Sequence, residues 1–248
     1  MKRLPILILV LISATVFAQT VKRVDKFDKA NVRIEYYVLK SDKSIKQGPY
    51  AEYSRLGTTP YCEGFYKNNQ KDSIWKYYGF NNKLCTTGSY KDGKRIGLWN
   101  SYDSDGAQEV LYDYTKKQLL YYKKSPQQLQ EQTIINGKDT SKATLERPVI
   151  YVDGVGSMFR IIATDMRYPA QARDKNIQGK VLIAFTVDTL GNVSNYRIKS
   201  GIGGGCDEES LRIVKLMDGD WLPGMLGGKP VTVEYTIPMT FALETEDQ

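Results

Sequence analysis

Gly88-Ser89-Tyr90-Lys91-Asp92-Gly93, followed by Trp99-Asn100-Ser101-Tyr102, repeats the earlier Gly64-Phe65-Tyr66-Lys67-Asn68-Asn69 and Trp75-Lys76-Tyr77-Tyr78, and every offset is 24 residues. Gly48-Pro49-Tyr50-Ala51-Glu52-Tyr53 fits one unit earlier at an offset of 25, and Tyr114 falls 24 beyond Tyr90, so residues 41–122 hold three units and a fading fourth. Turn residues near Gly57, Asn69, Asn82, Gly93, Gly106 and Lys117 recur about every twelve positions, and Asp92-Gly93 and Asp105-Gly106 are strong hairpin signals. Between turns, aromatic residues alternate with polar ones, as in Gly97-Leu98-Trp99-Asn100-Ser101-Tyr102. One face of each hairpin is then apolar, and only stacking of successive hairpins buries it.

The repeat resembles the bacterial variant of the MORN family, on Gly64, Tyr66, Trp75, Tyr78, Gly88, Tyr90, Gly93, Trp99 and Tyr102. That resemblance implies an elongated single-layer β-meander. Asn69 and Ser73 stand where the better unit has Gly93 and Gly97, a mild departure for Asn69 because asparagine tolerates left-handed backbone angles.

Outward from the repeat, the chain changes character. Of the 248 residues, those from 19 to 124 carry 20 basic and 12 acidic side chains, while 125–248 carry 13 and 16, and 14 of the 18 tyrosines lie between Tyr36 and Tyr122. A basic, tyrosine-rich half thus precedes a mildly acidic one, and the basic half is a candidate surface for an anionic envelope component. The chain contains no histidine, which excludes a Ser-His-Asp triad, a Cys-His pair and a His-ligated metal site. No catalytic constellation, cofactor motif or metal-binding cluster is read, so the expectation is a protein that is not an enzyme.

Met1 to Ala18 has a Lys2-Arg3 start, an apolar run from Leu4 to Phe17 and, in Val16-Phe17-Ala18, small residues at the two positions a signal peptidase inspects, the pattern of an export signal cleaved after Ala18. The run is short for a bilayer span and contains Pro5. A periplasmic location is expected, which leaves nucleic acid out as a partner. Cys62, Cys85 and Cys206 are odd in number, so at least one has no partner within the chain, and all three read as buried small side chains. Residues 19–40 read as a lead-in strand, and 123–147, which lose the aromatics and the period, as a connector.

From residue 148 to 244 the pattern is that of an α+β domain in the order ααββαβ with a small antiparallel sheet. Met158–Met166 and Pro169–Asn176 read as short helices, Val181–Val187 and Val193–Ser200 as a hairpin, and Asp207 as the N-cap of a third helix. Trp221-Leu222-Pro223-Gly224 reads as a turn and Lys229–Leu243 as a final strand, placed at a sheet edge by Pro230 and Pro238. This run resembles the TonB C-terminal domain, on Tyr168, Pro169, Gly179, Gly191, Trp221, Pro223, Gly224 and Pro238 in the right order and spacing. The resemblance implies a domain that grips the extended periplasmic segment of an outer-membrane TonB-dependent receptor. An extended peptide adds to an exposed edge through backbone hydrogen bonds, which makes Val231, Thr232, Val233, Glu234, Tyr235, Thr236, Ile237 and Met239 the candidate partner-binding residues. The same edge leaves dimerisation by strand exchange open. Energy transducers of that family also have a histidine-bearing inner-membrane helix and a long proline-rich spacer. Here there is no histidine and the nine prolines form no spacer, so the likeness is to the gripping domain. A membrane-anchored transducer with an uncleaved N-terminus and a periplasmic interaction scaffold unrelated to transport stand as alternatives.

Overall fold

The structure is a computed structural model and describes residues 19–27, 32–54, 57–79, 82–124, 131–217 and 219–243. The expected export signal at 1–18 and the tail at 244–248 lie outside the described residues. The chain divides into two compact units, 1–121 and 122–248. Among the described residues no helix is long and apolar enough to cross a membrane.

The first unit is a nine-stranded antiparallel meander whose strands follow one another in sequence order. Its strands are β1 (Thr20–Phe27), β2 (Val32–Leu39), β3 (Lys46–Ser54), β4 (Pro60–Lys67), β5 (Gln70–Tyr78), β6 (Leu84–Lys91), β7 (Lys94–Tyr102), β8 (Gln108–Asp113) and β9 (Gln118–Tyr122). The expected turns fall between strands, with Asn68, Asn69, Asn82, Asp92, Gly93, Gly106 and Lys117 all at positive φ. The lead-in is a hairpin rather than one strand, since β1 and β2 pair from Thr20↔Leu39 to Phe27↔Val32.

One face of this sheet is an aromatic row. Trp75 and Trp99 are almost wholly buried, and with Tyr50, Cys62 and Tyr90 they form a core flanked by Tyr36, Tyr66, Tyr77 and Tyr114. The glycines of the repeat make this packing feasible. A Cβ on Gly64 would stand 2.2 Å from the Trp75 ring, and one on Gly88 would stand 2.1 Å from the Trp99 ring. Each indole therefore lies on the bare backbone of the partner strand in its own hairpin, Trp75 on β4 and Trp99 on β6. Trp75 Nε1 donates to Phe65 O at 3.2 Å and Trp99 Nε1 to Ser89 O at 3.2 Å, an identical bond one repeat apart. Tyr50 takes the place of the indole in the first unit, with its ring 5.0 Å from Tyr66 and 5.6 Å from Trp75.

The second unit is built on a five-stranded sheet ordered β11-β10-β18-β13-β14. It contains β10 (Gln132–Asn136), β11 (Asp139–Ala143), β12 (Ile150–Tyr151), α1 (Gly154–Asp165), α2 (Ala170–Asp174), β13 (Gly179–Val187), β14 (Val193–Ser200), α3 (Cys206–Lys215), β15 (Trp221–Leu222), β16 (Gly224–Leu226), β17 (Lys229–Val231) and β18 (Val233–Phe241). The helices cover one face, and Val181, Ile183, Phe185, Val187, Ile213, Val214, Val233, Ile237, Met239 and Phe241 fill the core between the layers.

Four local expectations change. The stretch at 123–147 contains the β10–β11 hairpin, which joins the sheet through Thr133↔Glu234 and Ile134↔Val233. The expected turn at Trp221–Gly224 is two short strands either side of Pro223: β15 pairs with β12, and β16 pairs with β17. The final strand is broken. Pro230 lies in β17 opposite Met225, and Thr232 separates β17 from β18. Alternation of Val231, Val233, Tyr235 and Ile237 runs straight through that break, so periodicity hides a change of pairing partner. Last, Gly205 rather than Asp207 occupies the N-cap of α3, at φ +87. Asp207 sits inside the first turn and its Oδ1 accepts the Ile202 N–H at 2.8 Å and the Gly203 N–H at 3.2 Å, so it fastens the glycine loop instead of capping the helix.

All three cysteines are buried, as their residue type suggests outside a disulfide framework.

Candidate functional site

The candidate site is the edge of β18. On one side β18 pairs with β13 along its whole length, from Val187↔Val233 to Gly179↔Phe241. On the other side β10 covers only Val233 and Glu234, so no strand among the described residues pairs with Tyr235–Phe241 on that side.

Which backbone groups face this open edge follows from one hydrogen bond. Ile135 N–H donates to Thr232 O at 2.9 Å, so Thr232 points toward β10. Backbone direction alternates along a strand, and Glu234, Thr236, Pro238 and Thr240 share that side. Val233, Tyr235, Ile237, Met239 and Phe241 point to β13. Pro238 fits this assignment, since a proline facing β13 would break the ladder. The open edge therefore offers the N–H and C=O of Thr236, the C=O of Pro238, and the N–H and C=O of Thr240.

The side chains sort differently. Val233, Ile237 and Met239 are buried in the core, and Tyr235 packs its ring 5.3 Å from Trp221 and 5.6 Å from Phe185. Glu234, Thr236, Pro238 and Thr240 line the outer face, where Pro238 and Thr240 are exposed. Of the eight expected partner-binding residues, Thr236 alone directs backbone groups to the uncovered part of the edge. Val231 belongs to β17, and Thr232 and Glu234 face β10. Thr240 went unnoticed in the sequence, because its signal, backbone direction, needs the register of β10.

Glu234 is the charged landmark of this edge. Lys199 Nζ donates to it at 2.9 Å, Arg197 also donates to it, and its side chain is only 10% exposed. Burial works against its ionised form, but the Lys199 and Arg197 hydrogen bonds outweigh it and hold the carboxyl below the ordinary range. The edge so begins at a cation-flanked carboxylate where β10 ends.

The motif residues brought together by the fold are structural. Tyr168 donates to Ile177 O at 2.6 Å and meets Phe241 edge-on at 5.5 Å, while Pro169 precedes α2. A Cβ on Gly191 would stand 2.1 Å from Trp221 O, so the β13–β14 turn rests on the β15 backbone. Gly179 packs against Ile202, Gly224 against Leu145 and Val233, and Pro223 O accepts from Arg147 Nη2 at 2.9 Å.

Residues 164–243 match the family model of the Gram-negative bacterial TonB protein C-terminal. The matched TonB C-terminal segment spans α2 to β18, the β-edge included, with the last residues of α1; the β10–β11 hairpin lies before it. No curated protein matches the chain. Two solved structures align weakly. One is a mutant of S. aureus TarM in complex with Fondaparinux, alpha-GlcNAc-glycerol and UDP, at 13% identity and TM-score 0.25, covering 49% of this chain and 25% of that one. The other is TarM at 13% identity and TM-score 0.21, covering 49% and 24%. The chain spans about a quarter of the length of those structures, and overlap this slight carries no argument about fold or activity.

In the first unit, Gly64, Tyr66, Trp75, Gly88, Tyr90 and Trp99 gather on the aromatic face, while Gly93 lies in its turn and the Tyr78 hydroxyl donates to Glu63 at 2.7 Å. The opposite face holds an open groove of about 570 Å³ whose charges are paired internally, Lys22 with Glu35 at 2.7 Å and Lys76 with Glu63 at 3.4 Å. Among the described residues no group of His, Cys, Asp and Glu could hold a metal ion.

Proposed function

We propose that this protein acts in the cell envelope of a Gram-negative bacterium by gripping an extended segment of an outer-membrane TonB-dependent receptor, which adds as a strand to β18. The observation that carries the reading is the uncovered edge from Tyr235 to Phe241 within the matched domain. Backbone hydrogen bonds from Thr236, Pro238 and Thr240 supply affinity, and the outer face formed by Thr236, Pro238 and Thr240 meets alternate side chains of the guest. Each unsatisfied edge group is water-bonded before binding, so the net gain per bond is modest, about 1 kcal/mol. Such a grip is weak and reversible, in keeping with a contact made and released during transport. No catalytic step enters this reading, and the repeat unit serves as its scaffold or second contact.

Thr236→Pro tests it. That substitution removes an N–H from the open edge and leaves the β13 ladder intact. Titrated with a receptor-derived peptide, the variant should bind about fivefold more weakly than Thr236→Ala, which keeps the N–H. Equal binding by Thr236→Pro contradicts strand addition at this edge.

A further inference from the structure

The meander carries a second regularity, independent of the C-terminal reading. Four residues before each large ring of the aromatic row stands a cation: Lys46 before Tyr50, Lys71 before Trp75 and Arg95 before Trp99. Each folds back over its unit. Lys46 Nζ lies 5.4, 5.4 and 5.2 Å from the rings of Tyr36, Tyr50 and Tyr66. Lys71 Nζ lies 4.3 Å from Trp75 and 5.3 Å from Tyr90, and Arg95 lies 4.5 Å from Trp99. Gly48, Ser73 and Gly97, two residues after each cation, all take positive φ, and the even spacing of four keeps cation and ring on the same face. The cations stand at the starts of β3, β5 and β7, hence in a row with a spacing of two strands, about 10 Å.

A structural role accounts for the stems, which cover the rings. It does not call for a charge at all three places. Among the described residues no carboxylate pairs with Lys46 or Lys71. Asp25 and Glu52, at the β1–β3 end, accept the hydroxyls of Tyr36 and Tyr50. Between the cation heads runs a line of phenol hydroxyls. Lys71 Nζ donates to Tyr77 OH at 3.0 Å, Tyr77 OH lies 3.3 Å from Tyr90 OH, and Arg95 Nη1 donates to Tyr114 OH at 2.7 Å. The exposed apolar residues Ile74 and Leu98 alternate with the indoles and so lie on the other face.

We propose that this face binds a linear acidic polysaccharide laid across the strands, its carboxylates meeting Lys46, Lys71 and Arg95 and its hydroxyls meeting the tyrosine line. A carboxylate on every second sugar suits a cation on every second strand.

The test uses the full chain and a hyaluronan decasaccharide, with binding followed by calorimetry and by the fluorescence of Trp75 and Trp99. The expected result is saturable binding that weakens with salt, absent for a neutral cello-oligosaccharide. Lys71→Met with Arg95→Met keeps the covering stems and should weaken binding about tenfold per charge removed, while Lys71→Arg preserves it. Lys46→Met alone should give the single-charge loss if the double variant folds poorly. No binding at millimolar glycan, or equal binding by the Met variants with the circular dichroism unchanged, overturns the proposal. Binding to phosphatidylglycerol vesicles but not to the glycan also overturns it, and assigns the row to a lipid surface.

Discussion

The indole of Trp99 lies directly on the backbone of Gly88, where a Cβ would come within 2.1 Å of the ring. The same relationship joins Trp75 to Gly64 one repeat earlier. In each hairpin the first strand is thus the floor on which the second strand's largest side chain rests, so the glycine and the tryptophan of the repeat are one packing device.

Gly88→Ala should therefore displace the Trp99 ring. The expected cost is about 1–3 kcal/mol, the usual scale for overpacking a filled core. Urea unfolding of the full chain, followed by tryptophan fluorescence, checks it. A loss below about 0.5 kcal/mol would mean the ring shifts freely and the stacking is loose.

The buried and half-buried tyrosines of the meander give this unit an alkaline signature. Burial, assisted by Cys62 and Glu52, pushes the Tyr66 phenol up to about 12, and burial with a hydrogen bond to Glu63 pushes Tyr78 up to about 12. Burial raises Tyr50 and Tyr77 as well. A folded-state value above the unfolded value of about 10 contributes stability that is complete below pH ~10 and lost as pH rises through about 12. Phenolate absorbance should accordingly show a subset of tyrosines ionising only near pH 12, together with loss of near-ultraviolet circular dichroism. Titration of every tyrosine near pH 10 in a folded protein would refute the packing described.

In the second unit, acid is the sensitive direction. Glu209 Oε1 accepts the Arg167 N–H at 2.7 Å and Arg212 Nη2 at 2.7 Å, and Arg212 also donates to Asp165 O at 2.7 Å, so α3 is pinned to the end of α1. The Arg212 hydrogen bond, against the opposing effect of burial, holds the Glu209 carboxyl below its usual range. Its contribution is present above the unfolded value of about 4.3 and is lost as pH falls through the folded one. Glu209→Gln should destabilise the unit by about 1 kcal/mol at neutral pH and flatten its stability profile between about pH 5 and 3. Chemical unfolding at several pH values measures this, and an unchanged acid slope would remove Glu209 from the account.

The sequence was most legible where one residue type answers to one local constraint. Asn69, Asn82, Gly93 and Gly106 mark real turns because left-handed backbone favours those residues. The helices, the β13–β14 hairpin and α3 follow from period and punctuation. What escaped reading depends on partners distant in sequence. Ile134 looks like a connector residue until it meets Val233, 99 positions on. Asp207 has the residue type of an N-cap, but the loop amides of Ile202 and Gly203 lie closer to hand. At the candidate site, the expected edge strand lies between β10 and β13, and only its part from Tyr235 to Phe241 lacks a partner on one side among the described residues; the side each backbone group faces required the Ile135–Thr232 bond. The cations at Lys46, Lys71 and Arg95 recur with the repeat, but it is their placement over the rings that gives the period meaning, and this needs the fold.

Amide hydrogen exchange, read residue by residue by NMR on the full chain with and without a receptor-derived peptide, tests the central claim most directly. Strand addition to β18 predicts new protection at Thr236 and Thr240, whose N–H groups face the open edge, and little change at Ile237 and Met239, which already bond to β13. Unchanged exchange at Thr236 and Thr240 with saturating peptide bound, or protection confined to residues outside this edge, would contradict it.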